Sequence, residues 1–542
     1  MATSRPQPQQ DRRAPQALIV GLALLPFLAL CALTFAYAQD APFWMDWYLA
    51  DLVDKAFSGA LTCADLWRQH SDHRIFFPNL VLVSLARITH WDTRWEVVLN
   101  ISAAASLLLV VARRSAAWTW PLLSVLAFSL AQWSNWLVGM QFCIFFCVLA
   151  SATALILAAE SGLSWPRLAA AAGCGALASY SFTAGTLVWP VGFVLIAAAP
   201  RPGRLRARFL AAWSLTAVAV MVLYLRGWEW LPRPTFVETA SRFGRLCDAL
   251  VLLGSPLCDY YRPGALICGA FGLAFAAWGG LKVSRGSTNA SAFPGIAAWS
   301  AGTALLIGLG RQGLGEGQFL SSHYVTLAVP LWLADVALLG RLSSMSARRG
   351  GRWRAAAAVL AAAALANSVH GSLGFVYRGG QQQLWREELL AGGELQGLAA
   401  RWPDRRILSA RLVPILLRHR LSCFRGEAPP APPWPTTISV SPGAVDGSVR
   451  RVALPNGRAA YRGWAAGADG EPAERIIFVR GTQPVAITRP FIPMLRLALD
   501  RRKASLLWSG FEGVFEEPPD QPPLRVVAAA RGGASELEVE AP

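Results

Sequence analysis

Long apolar stretches alternate with short polar turns over the first two thirds of the chain. Each stretch approaches the length that a helix needs to cross a bilayer, and charged or turn-forming residues bound it on both sides. We therefore predict a mainly α, polytopic bundle over residues 17–372. Its eleven predicted transmembrane helices are 17–38, 95–112, 117–133, 137–159, 168–181, 184–199, 209–226, 263–281, 292–310, 318–340 and 353–372.

The pattern changes after residue 373. A polar stretch with helical character and the proline-rich segment Pro429–Pro435 form a predicted linker over 373–435. Short runs rich in β-branched residues follow, separated by Gly, Pro or Asp, and they predict a β-sandwich over 436–542. Its aromatic residues could bind sugar or form the core of the sandwich, and the usual burial of large aromatic side chains favours the core. These residues are Tyr461, Trp464 and Trp508.

Charge indicates how the bundle is oriented. The chain has 542 residues, 54% of them hydrophobic, and a net charge of +17. Nucleic acid is an improbable reason for this charge, because Lys and Arg retain loops on the cytoplasmic side of a membrane. Basic residues cluster in every second predicted turn. We therefore predict a cytoplasmic basic tail at 1–16, with the first external loop (39–94) and everything after Tyr377 outside the cytoplasm.

The first external loop carries the densest chemistry. Asp46 lies between Trp44 and Trp47, where indole rings could hold a carboxylate at the depth of the lipid headgroups. A desolvated carboxylate at this boundary would suit a general base that deprotonates a hydroxyl. The alternative is a solvated loop face, because Asp51 and Asp54 follow at helical spacing. Spacing alone favours neither.

Two histidines and an arginine follow in the segment HSDHR. His70 and His73 are three residues apart, with Arg74 beside them. Metal binding is possible in principle. A phosphate-binding role is simpler, because a lipid-linked phosphate needs cations at the membrane boundary. A loop hydrogen-bond network is the ordinary alternative.

A second polar cluster lies between the ninth and tenth predicted helices, in GLGRQGLGEGQFLSSHYVT. Arg311 would suit phosphate, and His323 with Tyr324 would suit hydroxyls or a leaving phosphate. Its glycines let the backbone approach a ligand closely. The predicted topology places this loop on the same side as the first, so we expect one shared cavity.

The order of these segments resembles a family of uncharacterised bacterial multi-span proteins related to the C-type membrane glycosyltransferases. The resemblance covers about residues 17–372 and depends on the Asp-Trp loop, HSDHRIFFP, NWLVGMQF, SYSFTAGTLVWP and GRQGLGEGQFLSSHYVT. It implies an inner-membrane enzyme that uses a polyprenyl-phosphate sugar donor, an acid in the first external loop, and an envelope glycan or lipid acceptor at the outer face. The implied roles are catalysis for Asp46 and substrate or phosphate binding for His70, His73, Arg74, Arg311, His323 and Tyr324.

The sequence departs from the family's pattern at two positions. Met45 stands where such loops often carry a second acid, which argues against a divalent metal cofactor, so none is predicted. His323 stands where relatives tend to have arginine, so the charge at this position would depend on pH.

Two other functions remain open. A transporter or lipid flippase would need ionisable groups within its spans, and these spans contain few. Asp335 is the clearest candidate, but the sequence places it toward the cytoplasmic end of its span, near Arg341. A non-catalytic envelope scaffold would instead present the outer sandwich to glycans.

Overall fold

The computed structural model places the long apolar runs in helices. It describes residues 13–160, 162–200, 202–229, 242–286, 291–311, 316–345, 350–390, 407, 411–426, 440–441, 443–454, 458–481, 483–490, 492–501, 503–516 and 521–540. Most of the predicted basic tail and the proline-rich part of the linker lie outside these residues.

The helices run in the following order. The first half of the chain contains α1 Arg13–Tyr37, α2 Ala50–Phe57, α3 Cys63–Trp67, α4 Phe76–Thr89, α5 Thr93–Ala112, α6 Trp120–Ala127, α7 Trp133–Trp136, α8 Phe142–Ala159, α9 Trp165–Ser179, α10 Val188–Ala198, α11 Gly203–Leu225 and α12 Arg242–Gly254. The second half contains α13 Arg262–Gly286, α14 Phe293–Gly310, α15 Ser322–Met345, α16 Gly350–Leu390, α17 Val413–His419 and α18 Leu495–Asp500.

Within the described residues, eight helices are long and apolar enough to cross a membrane. They coincide with eight of the eleven predicted spans. Several expose large apolar side chains, such as Leu215 and Val222 on α11 and Ile267 and Phe271 on α13. Lipid solvates apolar side chains that are exposed along a helix of this length, and water does not. The helices therefore suggest a membrane protein.

The other three predicted spans coincide with the shorter helices α6, α9 and α10. Between α9 and α10 the chain makes a tight return through the 3-10 segment Thr183–Leu187. A Cβ at Gly185 would lie 2.0 Å from the carbonyl oxygen of Ala178, so only glycine fits this approach. The return leaves α9 and α10 with fifteen and eleven residues, fewer than an untilted span requires.

The chain divides into two compact units. The first contains residues 1–36, 61–82 and 95–374, and the second contains residues 37–60, 83–94 and 375–542. In the first unit α15 is almost entirely buried and is the central helix, whereas α1 buries little of its surface. Proline is tolerated within both helices, because a neighbouring helix or a polar side chain can satisfy the carbonyl that proline frees.

A strand region closes the second unit. Its strands are β3 Val445–Leu454, β4 Arg458–Gly467, β5 Arg475–Arg480, β6 Gln483–Thr488, β7 Gly510–Glu516, β8 Leu524–Ala530, β9 Gly533–Leu537 and β10 Val539–Glu540. A short hairpin in the first unit supplies β1 Gln69–His70 and β2 His73–Arg74.

Two four-stranded sheets make up this region, in the orders β10-β3-β4-β7 and β6-β5-β8-β9. Side chains from both sheets form one hydrophobic core, in which Tyr461, Phe478, Phe511 and Val526 are buried. The core reading of Tyr461 is thus confirmed. Trp464 is half-buried and packs beside Ala466 and Leu506.

Candidate functional site

Asp46 lies in a short 3-10 helix, Trp44–Leu49, that follows α1 closely. Its side chain is 1% exposed, and its Oδ2 accepts a hydrogen bond from the Phe43 backbone N–H at 3.1 Å. This bond satisfies a donor that the start of a helix leaves unpaired. Asp46 therefore has a local structural role, and a catalytic Asp46 would have to keep this hydrogen bond.

Aromatic rings surround this segment. The rings of Phe43 and Trp47 both meet the ring of Trp385 edge-on, with centroids 6.2 Å apart in each pair. The guanidinium carbon of Arg378 lies 5.1 Å from the ring centroid of Phe43 and 5.6 Å from that of Trp44. Trp44 has φ +52°, a left-handed conformation that costs a bulky residue about 1–3 kcal/mol. We call these residues the Asp46 cluster: Phe43, Trp44, Asp46, Trp47, Arg378 and Trp385.

The indole donor of Trp47 in the Asp46 cluster is unsatisfied. The indole Nε1 of Trp47 is buried and has no hydrogen-bond partner among the described residues, whereas that of Trp385 donates to Pro42 O at 2.6 Å. A buried N–H without an acceptor costs about 1–3 kcal/mol, unless a ligand or water supplies one. The cluster thus combines a carboxylate, a cation, flat apolar surfaces and a spare donor. This chemistry suits a hydroxyl-bearing ligand with an anionic group.

Arg74 is buried in the first unit and is held by backbone carbonyls. Its Nε donates to Tyr224 O at 2.8 Å, its Nη1 to Trp67 O at 2.9 Å and its Nη2 to Arg226 O at 2.5 Å. Burial lowers the pKa of Arg74, and Tyr224 opposes that shift. Two of the five guanidinium donors therefore anchor the β1–β2 hairpin to the end of α11, a third binds the last residue of α3, and two are left for an anion.

His73 joins the hairpin to the return between α9 and α10. Its Nδ1 lies 2.6 Å from Thr183 Oγ1, and its ring stacks on Phe182 with centroids 3.9 Å apart. Thr183 Oγ1 donates its only hydrogen to Asp72 O and also lies 3.0 Å from the Tyr224 hydroxyl. His73 Nδ1 also accepts a hydrogen bond from the Thr183 backbone N–H at 3.4 Å. His73 is therefore held by Thr183 through a ring nitrogen and by Phe182 through the face of its ring.

His70 is unsuited to binding phosphate through charge. Burial lowers the pKa of His70 to about 4. Its Nε2 atom is fully buried, although the residue as a whole keeps partial exposure. A neutral imidazole at physiological pH offers a hydrogen bond but no positive charge.

The residues of the second polar cluster lie at the end of α14 and the start of α15. The side chain of Arg311 is half-buried and has no hydrogen-bond or ion-pair partner within the described part of the chain. His323 Nδ1 lies 2.7 Å from Ser321 Oγ, and the ring of His323 lies 3.8 Å from that of Tyr324, which is buried. Arg311 is thus the cation here that remains available to an anion.

A polar network fixes the start of α15 to the segment that contains NWLVGMQF. Asn135 Nδ2 donates to His323 O at 2.9 Å and to Thr326 Oγ1 at 2.6 Å, and Thr326 Oγ1 donates to Gln132 Oε1 at 2.8 Å. The helix that follows, α8, reaches Phe182 through the Cys147 thiol at 3.9 Å. The His73 group therefore neighbours α8 through Phe182, and the His323 group neighbours the segment before α8 through Asn135.

The seven predicted site residues fall in different units. Asp46 belongs to the second unit, and His70, His73, Arg74, Arg311, His323 and Tyr324 belong to the first. The single chamber that would bring Asp46 together with the others stays a prediction.

The structure also reveals a histidine and acid pair that our reasoning from sequence missed. His370 Nδ1 on α16 lies 3.0 Å from Asp259 Oδ1, and the His370 ring lies 4.9 Å from that of Tyr260. Asn367 holds the pair in place, because its Oδ1 accepts the Asp259 N–H at 3.0 Å and its Nδ2 donates to Ser255 O at 2.9 Å. Burial raises the pKa of Asp259, and the neighbouring His370 opposes that shift. The polar run NSVHGS inside an apolar span was the signal available.

Among the residues that the structure describes, no group of three or more His, Cys, Asp or Glu side chains is arranged to hold a metal ion. Comparisons with protein-family models, curated proteins and solved structures give no match for this chain.

Proposed function

We propose that this protein is an integral membrane glycosyltransferase that transfers a sugar from a polyprenyl-phosphate donor to an envelope glycan or lipid acceptor. The observation that carries the proposal is the Asp46 cluster, in which a buried carboxylate lies among aromatic rings and a guanidinium just after the first membrane-length helix. Flat rings bind the apolar face of a sugar, and a cation suits its phosphate.

In the proposed reaction Asp46 acts as general base. One oxygen of its carboxylate takes the proton of the acceptor hydroxyl, and the hydroxyl oxygen attacks the anomeric carbon from the face opposite the leaving group. The bond between that carbon and the phosphate oxygen breaks, and the lipid phosphate leaves with the electron pair. Arg378 in the Asp46 cluster would stabilise this anion. The anomeric configuration would be inverted.

The proposal includes a finer architecture. It takes α6, α9 and α10 as short or tilted spans, which gives eleven crossings with the N-terminus cytoplasmic. It also takes the two sheets as a β-sandwich on the outer face of the bacterial inner membrane. Support comes from the apolar composition of the three helices and from the core that the two sheets share.

The test is sugar transfer from a radiolabelled polyprenyl-phosphate donor by the purified protein in lipid. We expect Asp46→Asn to lower the rate by about 10²–10⁴-fold, the usual contribution of a general base. Asparagine keeps an oxygen that can accept the Phe43 N–H, so the local fold should persist.

The matched control is Asp51→Asn in the same loop. Asp51 is exposed and pairs with exposed Arg411 at 2.8 Å, so its loss should leave the rate unchanged. Full activity of Asp46→Asn would remove Asp46 from the mechanism. No transfer by the wild-type protein with any polyprenyl-phosphate sugar would overturn the proposal.

Transport is the second candidate function, because a buried acid lies within the central helix of the first unit. Asp335 is 1% exposed, and carriers that couple to protons or ions bury such groups within their spans. Substrate uptake into proteoliposomes without any sugar transfer would favour transport over the enzyme.

A further inference from the structure

Asp335 occupies the central helix of the first unit. It is residue 14 of the 24 in α15, close to the middle of the helix. Only 1% of its surface is exposed, and neither carboxylate oxygen has a hydrogen-bond partner among the described residues. Buried carboxylates are normally paired or hydrogen-bonded, so this one requires an explanation.

Two residues beside Asp335 offer it no donor. At Gly272 on α13 an added Cβ would lie 3.4 Å from Asp335 Oδ2, and glycine supplies no polar side chain. Trp332 is one turn away on α15, but its indole N–H donates to Leu253 O at 2.8 Å. The carboxyl group therefore faces apolar surroundings.

Within the described residues, four of the helices that contact α15 have no charged side chain. Helices α6, α7, α8 and α14 contain no Asp, Glu, Lys, Arg or His, and α13 contains none between Arg262 and Lys282. On α12, Asp248 pairs with Arg262 at 2.6 Å. The other ionisable residues on the elements that contact α15 are Cys143, Cys147, Arg242, Arg245, Cys247, Cys268, Arg285 and Glu316.

An isolated carboxylate in such a place is costly. Burying one without a pair or hydrogen bonds costs at least several kcal/mol, and adding a proton removes the charge. We propose that Asp335 is a proton-binding site inside the helix bundle, with the carboxyl group neutral at physiological pH. This inference is independent of the sugar-transfer proposal, because it concerns a different residue and needs no donor or acceptor.

Reaction with dicyclohexylcarbodiimide tests the proposal on the full-length protein in lipid. This apolar reagent adds a protonated carboxyl group across its C=N bond, and the adduct rearranges to a stable N-acylurea. We expect mass spectrometry to find the label on the Asp335 peptide at neutral pH and no label at that position in Asp335→Asn. Exposed Asp51 is the internal control, which a water-soluble carbodiimide should label and the apolar reagent should not.

Two results would overturn the proposal. Protection of Asp335 from the apolar reagent by Na⁺ or K⁺ would identify a cation site instead of a proton site.

Infrared difference spectroscopy tests the same proposal without a reagent that has to enter the bundle. We expect the difference spectrum, wild type minus Asp335→Asn, to show the carbonyl band of a protonated carboxyl group. A carboxylate band in its place would show that Asp335 is ionised and would overturn the proposal.

Discussion

Asp40 and Asp92 in the second unit are buried beside two arginines, whereas Asp335 in the first unit is buried with no hydrogen-bond partner among the described residues. Asp40 is 9% exposed and Asp92 4%. Arg425 Nη2 contacts Oδ2 of both acids, and Arg94 adds two bonds to Asp92 at 2.9 and 2.8 Å. A fold tolerates buried charges compensated in this way, while an uncompensated acid costs stability and is retained for another reason.

The pKa values in the Asp40 and Asp92 group reflect this compensation. Burial raises the pKa of Asp40, as does the nearby charge of Asp92, while Arg425 opposes both. Burial also acts to raise the pKa of Asp92, but the hydrogen bonds from Arg94 and the charge of Arg425 outweigh it, so that pKa lies below its usual value. Arg425 is thus shared between one acid that is easily protonated and one that is not.

The largest effect is expected on removing the shared arginine. Arg425→Ala leaves Asp40 without its ion pair and Asp92 with Arg94 alone, and breaking a buried ion pair usually costs about 3–5 kcal/mol. We expect a clear fall in the unfolding temperature of the detergent-solubilised protein, with earlier proteolysis in the second unit.

Arg411→Ala is the matched control for Arg425→Ala. It breaks an ion pair between two exposed side chains and should cost less than about 1 kcal/mol. An equal fall in the unfolding temperature of the two variants would show that the buried and the exposed ion pair contribute the same stability.

Part of the fold and part of the candidate site could be predicted from the sequence. Apolar runs predicted all eight membrane-length helices, because lipid imposes a length and a composition on each span by itself. The position of Asp46 beside tryptophans was also visible locally. Contacts across the fold were not, since Arg425 lies 385 residues from Asp40 and Arg74 lies 150 residues from Tyr224. Sequence therefore suggested Arg74 as a phosphate ligand without showing that three backbone carbonyls already hold it.

His70 offers a second test of the contrast between the two units, because the first unit buries this ionisable side chain in its neutral form. Burial lowers its pKa from the usual 6.5 to about 4. The folded state thus resists a proton that the unfolded chain accepts. Its contribution to stability is complete above pH 6.5 and is lost as the pH falls from 6.5 toward 4. Partial exposure of the residue reduces the effect to about 2 kcal/mol.

The measurement is the unfolding temperature of the wild-type protein and of His70→Gln between pH 7 and 4. We expect the variant to lose the part of the pH dependence that His70 provides. His90→Asn is the control, because His90 is exposed, and asparagine tolerates its left-handed backbone at φ +52°. An identical pH dependence in wild type and His70→Gln would contradict the burial of a neutral imidazole.

The smallest effect on the free energy of unfolding is expected for a substitution at Asp335. If Asp335 carries a proton, Asp335→Asn exchanges one neutral group for another of nearly the same shape, and the free energy of unfolding should change by less than about 1 kcal/mol. Asp248→Asn is the control in the same unit, because it removes the negative charge that pairs with the partly buried Arg262 at 2.6 Å. We expect Asp248→Asn to lower the unfolding temperature and Asp335→Asn to leave it nearly unchanged. A larger loss for Asp335→Asn would mean that Asp335 is ionised and compensated, and the contrast between the two units would then fail.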